Sequence, residues 1–316
     1  MSLQRFILKR VLVMIPVLFG VTLITFSLVH LLPGDPITFM LGEAAVGEEV
    51  REEMRREYNL HLPMWEQYIL WLQDAMFLNF GESIVTGRDV GEQVSTRLPA
   101  TILLGLAAWL ITMVIAIPTG IIAAVRKDEA ADEASRFVAL AGVAMPNFWL
   151  GLILMLIFAV NLGWFTVLPP TDQGLLTPEM LWFLILPAIA LGTASTAILM
   201  RLMRSSMIEE LNKDYIMFAR AKGLPERKII LKHALRNSLI SVVTIAALQI
   251  AFIVDGAVVI EEVFAWPGLG RLLVDSITRR DFPIIQALVL LIGVTIVLAN
   301  LVADIVYAWL DPRIRY

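Results

Sequence analysis

A chain of 316 residues that is 58% hydrophobic, 17% charged and free of cysteine lies outside the range of soluble domains, which run about 45–50% apolar and about 25% charged. No single core hides that excess, because soluble domains keep a largely polar shell; a soluble enzyme, a disordered chain and a fibrous protein are excluded. The absence of cysteine removes disulfides, thiolate nucleophiles and Cys-based metal sites, and the net charge of −4 matters less than its distribution over the loops.

A bilayer core of about 30 Å needs about 20 mostly apolar residues at 1.5 Å rise. Six stretches qualify: 11–32, 99–125, 137–162, 181–200, 238–260 and 284–308. The first follows Arg5, Lys9 and Arg10, as a signal peptide would, but its apolar run is too long for cleavage and LLPGDP offers no small-x-small site. It reads as a retained signal anchor. Internal prolines at Pro16, Pro118, Pro146 and Pro187 each remove a backbone hydrogen bond and kink a helix.

With the N-terminus inside, cytoplasmic segments hold 17 Lys+Arg and the opposite side 8, of which 5 fall in the long loop 33–98. Long translocated loops count little, so both termini are expected in the cytoplasm.

Loop 33–98 carries 12 acidic and 5 basic residues. Val46, Val50, Met54 and Tyr58 recur every four residues, with Glu52 and Arg56 placed to pair. After Pro63, Trp65, Tyr68, Ile69, Leu72 and Met76 form an apolar face with Glu66, Gln67, Gln73 and Asp74 off it. Two short extracytoplasmic helices are expected, one near the bilayer surface; a lid over a substrate entrance is the alternative.

Residues 201–236 carry nine basic residues in a strongly helix-forming sequence. Gly223 suits the left-handed position past a helix and Pro225 the first turn of the next, which predicts two short helices joined by a tight elbow at Gly223-Leu224-Pro225. Anionic lipid accounts for part of the charge, but anchoring requires no elbow. The segment reads as a docking surface for another protein.

Residues 217–236 resemble the E-A-A-x3-G-x9-I-x-L-P loop of ABC importer permeases: Ala219 falls on the last alanine, Gly223 on the glycine and Leu235 on the leucine. Met217, His233 and Arg236 depart from the general motif but match the dipeptide/oligopeptide/nickel branch, whose loop reads like Ala219–Leu224 and His233–Asn237 here. Residues 15–36, RLPATILLGLAAWLI with IPTGIIAA (97–124), VFAWPGLGRLLVDSI (263–277) and the terminal DPRIRY resemble the same branch in the same order.

The resemblance implies an all-α polytopic protein of the prokaryotic cell membrane, type I ABC importer-like. It divides into a signal anchor (1–32), an extracytoplasmic loop (33–98) and a permease core (99–316). It further implies a second homologous permease subunit, one or two ATPase subunits and an extracytoplasmic solute-binding protein as partners, with Ala219, Arg220, Ala221, Lys222, Gly223, Leu224, Pro225, His233 and Leu235 forming the ATPase-coupling loop. No G-x-x-x-x-G-K-[ST] is present, so ATP and Mg would be used by a partner ATPase and no cofactor is expected on this chain. The cargo is expected to be di- or oligopeptides, with nickel or another small solute as the alternative. A stand-alone channel or secondary transporter is a competing class, but it would place paired charges or broken helices at the midplane of repeated halves, and no clear repeat is visible.

On the outer side, Trp266-Pro267-Gly268 signals a turn, either re-entrant and buried in protein or interfacial and anchored by Trp266. Asp255 lies within a span, with Gln249 and Glu261 six residues to either side. Ionisable groups in spans face cavities or partners, so Asp255, Glu261 and nearby Gln249 are candidates for the substrate path, and the resemblance implies the same for the loop that holds Trp266. Asp304 and Asn300 are one turn apart and read as structural. His30, His61 and His233 are scattered without ligand spacing; no metal site, catalytic constellation or nucleic-acid surface is expected.

Overall fold

The computed structural model describes residues 3–31, 37, 47–57, 59–170 and 174–310. Val46, Tyr58, the LLPGDP stretch beyond Leu31 and the terminal DPRIRY lie outside them, as do the side chains of Met54 and Asp255. Regular structure among the described residues is helical: α1 (Leu3–His30), α2 (Glu48–Glu57), α3 (Met64–Met76), α4 (Val90–Val125), α5 (Ala130–Ala144), α6 (Asn147–Leu154), α7 (Pro178–Leu211), α8 (Asp214–Ala221), α9 (Glu226–Lys228), α10 (Leu235–Val263), α11 (Leu269–Arg279) and α12 (Phe282–Leu310). A π-helical segment, Met155–Asn161, continues α6, and another, Ile229–Ala234, joins α9 to α10.

Five helices are long and apolar enough to cross a membrane among the described residues, or six if the bent pair α5–α6 is one span. That pair corrects the expectation of a single kinked helix over 137–162. The chain turns by 108° between Ala144 and Asn147: Met145 is extended (ψ 130°) and Pro146 follows at φ −61°, ψ 134°, the conformation that the residue before a proline favours. Pro16, Pro118 and Pro187 instead sit inside continuous helices.

The bundle is built on α4 against α7, its most extensive contact. Lipid is as apolar as leucine, so association between spans depends on close packing of small residues. A Cβ on Gly192 would stand 2.9 Å from the Ala108 carbonyl oxygen, and one on Gly120 would stand 2.6 Å from Met203 Cβ. Thr112 donates its hydroxyl to the Gly192 carbonyl at 3.1 Å. Ala108, Ala116, Ala188, Ala190 and Ala197 are buried along the two helices. α1 packs chiefly against α12, and Arg10 pairs with Asp304 at 2.9 Å. Asp304 is thus structural, and the start of α1 shares an end of the bundle with the end of α12. We call this the basic end and its opposite the loop end.

At the loop end α2 and α3 form as expected, with two changes of detail. Glu52 pairs with Arg55 at 3.1 Å rather than with Arg56. Gln67 is buried, its amide oxygen accepting from His30 Nε2 at 2.9 Å and its amide nitrogen donating to the Leu62 carbonyl at 2.8 Å. Asp281, also buried, takes the Ser83 hydroxyl and the Ile84 amide (3.3 Å), pinning the long loop to the turn between α11 and α12.

Candidate functional site

The elbow at the basic end forms, with one correction to its second arm. α8 is a short helix of eight residues, but the segment after Pro225 is no separate helix. It runs through Ile229–Ala234 into α10, so the second arm is the root of a span. Gly223 adopts φ +73°, where a side chain is strained, and its amide donates to the Arg220 carbonyl at 2.9 Å. Pro225, at φ −63°, begins the next helix and removes an amide that would have no helical partner there.

α8 has two faces. Ile216 and Ala219 are buried in a cluster with Met203 and Met207 of α7, Ile229 and Ala234. The opposite face carries Met217, 61% exposed, and Phe218, 64% exposed, together with exposed Arg220, Ala221 and Lys222. Of the predicted coupling residues, Arg220, Ala221, Lys222, Gly223 and Pro225 therefore lie outward. Leu224, His233 and Leu235 are half-buried and Ala219 faces in. Phe218 was not singled out from sequence, and Met217 only as a departure from the general motif; the signal was the period that places them opposite Ile216 and Ala219.

Polar contacts hold the elbow to the bundle. Glu210, at the end of α7, accepts from Lys213 Nζ and from the Tyr215 hydroxyl at 2.6 Å. Asn237 at the root of α10 donates to Tyr215 at 3.0 Å. The Glu210 carboxylate holds the Lys213 ammonium above the ordinary lysine range, and burial, then the bond to Glu210, pushes the Tyr215 phenol up. Across the bend, Arg220 grips Glu226 through contacts of 2.6–3.3 Å. Both partners are about half exposed, so this pair contributes little stability.

A second cluster, not anticipated from the sequence, ties α5 to α7. Asp132 is wholly buried and accepts from Arg204 Nε at 2.5 Å and Nη2 at 2.7 Å, from Arg136 at 2.6 Å and from the Asp128 amide at 3.0 Å. Each carboxylate oxygen is occupied, which buried charge requires. Arg136 at i+4 was legible; Arg204, 72 residues away, was not.

The four candidates for the substrate path separate. Glu261 is wholly buried within its own chain. It accepts the Thr101 hydroxyl at 2.6 Å, the Gly270 amide at 2.7 Å and the Arg271 amide at 3.2 Å, so it caps the start of α11, where backbone amides lack helical partners. A Cβ on Gly268 would overlap its carboxylate. Trp266 is likewise enclosed, donating its indole N–H to the Ala100 carbonyl at 2.9 Å and stacking on Phe183 at 6.2 Å. It is no interfacial anchor: the 264–268 turn is buried in protein and tethered to α4. Ala265 there holds φ +52°, its carbonyl fixed by Arg271 at 2.6 Å. In this arrangement both side chains are enclosed by their own chain. Gln249 differs, because its carbonyl oxygen is buried with no hydrogen-bond partner among the described residues.

Comparison with known proteins fits this architecture. The family described as "Binding-protein-dependent transport system inner membrane component" matches residues 116–316, and "Binding-prot-dependent transport system membrane comp, N-term" matches residues 3–105. The chain is 43% identical to the oligopeptide transport system permease protein AppB of Bacillus subtilis over 99% of this chain and 100% of that protein. Its identity to the di/tripeptide transport system permease protein DppB of Pseudomonas aeruginosa is 40%, over 98% of each. It is also 40% identical to the glutathione transport system permease protein GsiC of Escherichia coli, over 99% of each. A helical bundle with this match along its length belongs to the family of binding-protein-dependent transport system inner membrane components, as a multi-pass ABC importer permease of the prokaryotic plasma membrane.

Proposed function

We propose that this chain is one of two permease subunits in an ATP-driven importer of di- and oligopeptides, receiving cargo from an extracytoplasmic binding protein and work from separate ATPase subunits. The observation that carries the reading is the two-faced α8: Ile216 and Ala219 fasten it to the bundle while Met217, Phe218, Arg220 and Ala221 stand outward. An exposed apolar pair followed by Arg220 and Lys222, on a helix fixed at its base by Glu210, fits a groove on another protein better than it fits water. The peptide cargo is taken from the names of the oligopeptide, di/tripeptide and glutathione permeases that the chain matches.

The basic end is assigned to the cytoplasm by its excess of Lys and Arg. Coupling then follows population-shift logic: ATPase closure favours one arrangement of the bundle through contacts at α8, and the bound solute reads the difference at a distance. Within the membrane, Gln249 and Asp255 are assigned to the substrate path from their place in the sequence of one span, because polar and ionisable groups in spans face cavities or partners. The test is reconstitution with candidate ATPase and binding-protein partners, measuring peptide uptake driven by ATP. Uptake without any ATPase subunit would replace the importer reading with a channel or secondary transporter.

A further inference from the structure

We propose that α3 is an interfacial helix seated at the headgroup–acyl boundary of the leaflet at the loop end, with its Trp65–Ile69–Leu72–Met76 face in contact with lipid. The reading rests on α1 spanning the membrane and is independent of the cargo.

The depth of α3 follows from its contacts with α1. From Arg10, which pairs with Asp304, to His30 is twenty residues, or about 30 Å of helix, the thickness of a hydrocarbon core. Gln67 meets His30 at 2.9 Å. Its neighbour Tyr68 meets the Thr22 hydroxyl at 2.8 Å, two turns deeper, about 12 Å below His30. Adjacent residues of α3 thus reach two levels of α1, and the helix lies between them, roughly 6 Å inside the apolar edge. Amphipathic interfacial helices seat their apolar faces about 5–10 Å into that boundary.

Its side chains divide into three sectors. Gln67, Tyr68, Trp71 and Ala75 turn toward α1, with Phe26 within 5.4 Å of Tyr68 and 5.9 Å of Trp71, ring to ring. Glu66, Gln73 and Asp74 form a polar sector. Between these, Trp65 is 65% exposed and Ile69 44%, at the i, i+4 spacing of one face. Beside it stands the exposed Phe19 of α1, whose ring is 6.2 Å from Tyr68. Tryptophan at this depth is the usual anchor of a membrane–water interface.

The chain contains no cysteine, so an introduced one is this subunit's sole thiol. Trp65→Cys, Ile69→Cys, Glu66→Cys and Gln73→Cys would be labelled with bimane in the assembled transporter in nanodiscs. Emission at positions 65 and 69 should shift to the blue and be quenched by lipids bearing a nitroxide high on the acyl chain. Positions 66 and 73 should instead be quenched by aqueous iodide, which also reports that the helix has formed. Equal iodide quenching at all four positions would overturn the proposal. So would protection of 65 and 69 from both quenchers that is lifted when the binding protein is withheld, since that marks a lid or docking face.

Discussion

Removing the Phe218 ring tests the docking surface with little disturbance to the chain itself. Fully burying a phenylalanine is worth about 1.5–3 kcal/mol. With 64% of Phe218 exposed, about two thirds of that, about 1–2 kcal/mol, is still available to a partner. Phe218→Ala should weaken ATPase docking about 5- to 30-fold, and Met217→Ala, at similar exposure, should act in the same range. The assay is titration of ATPase subunits onto the permease pair in nanodiscs, with ATP-driven uptake in parallel and thermal unfolding as the control for chain stability. Ile216→Ala supplies the contrast: wholly buried, it should cost about 2–5 kcal/mol of stability. Docking affinity unchanged in both Phe218→Ala and Met217→Ala would refute the assignment of the outward α8 face.

Gly223→Pro deletes the amide bonded to Arg220 and forbids φ +73°; the protein should insert normally while ATP hydrolysis no longer drives uptake, and unimpaired uptake would refute the elbow's role. Glu226→Gln removes an exposed ion pair and should change unfolding by less than about 1 kcal/mol, measured by thermal denaturation in detergent. Asp132→Ala strands Arg204 and should destabilise the chain by about 3–5 kcal/mol, with much of the loss recovered in Asp132→Ala/Arg204→Met; equal stability of the single variant and the parent would remove the clasp from the account. Glu261→Ala leaves the Thr101 hydroxyl and the Gly270 and Arg271 amides without an acceptor, at about 1–3 kcal/mol for each buried donor. Limited proteolysis should then find cleavage near residues 264–270 that the parent resists.

Local rules carried the reading furthest where local chemistry decides the structure. Gly223 and Pro225 mark their bend because one needs a positive φ and the other begins a helix, and apolar runs mark spans because bilayer thickness fixes their length. The sharpness of the bend in the third span was not legible because hydropathy measures length and not direction: both sides of Pro146 are apolar, and a 108° turn leaves that sum unchanged. The capping role of Glu261 was not legible because its partners, Thr101 on α4 and the amides of Gly270 and Arg271, meet only when α11 folds back on the bundle. The sequence left Trp266 open between a buried re-entrant turn and an interfacial anchor for the same reason, its indole partner Ala100 lying 166 positions away. The Asp132–Arg204 clasp follows this pattern, whereas Ile216 and Ala219 needed only their helical period.

The continuity of α9, the π-helical segment and α10 sets how the elbow transmits force. From Glu226 to Val263 the chain is one helical rod, about 57 Å long at 1.5 Å per residue, rooted beside Gly223 and ending in the turn where Glu261 caps α11. No loop lies along it to absorb a displacement. Movement at the root has two outlets: tilt of the whole lever about its packing on α7, or a change of register within Ile229–Ala234, where the wider π turn already departs from regular hydrogen bonding.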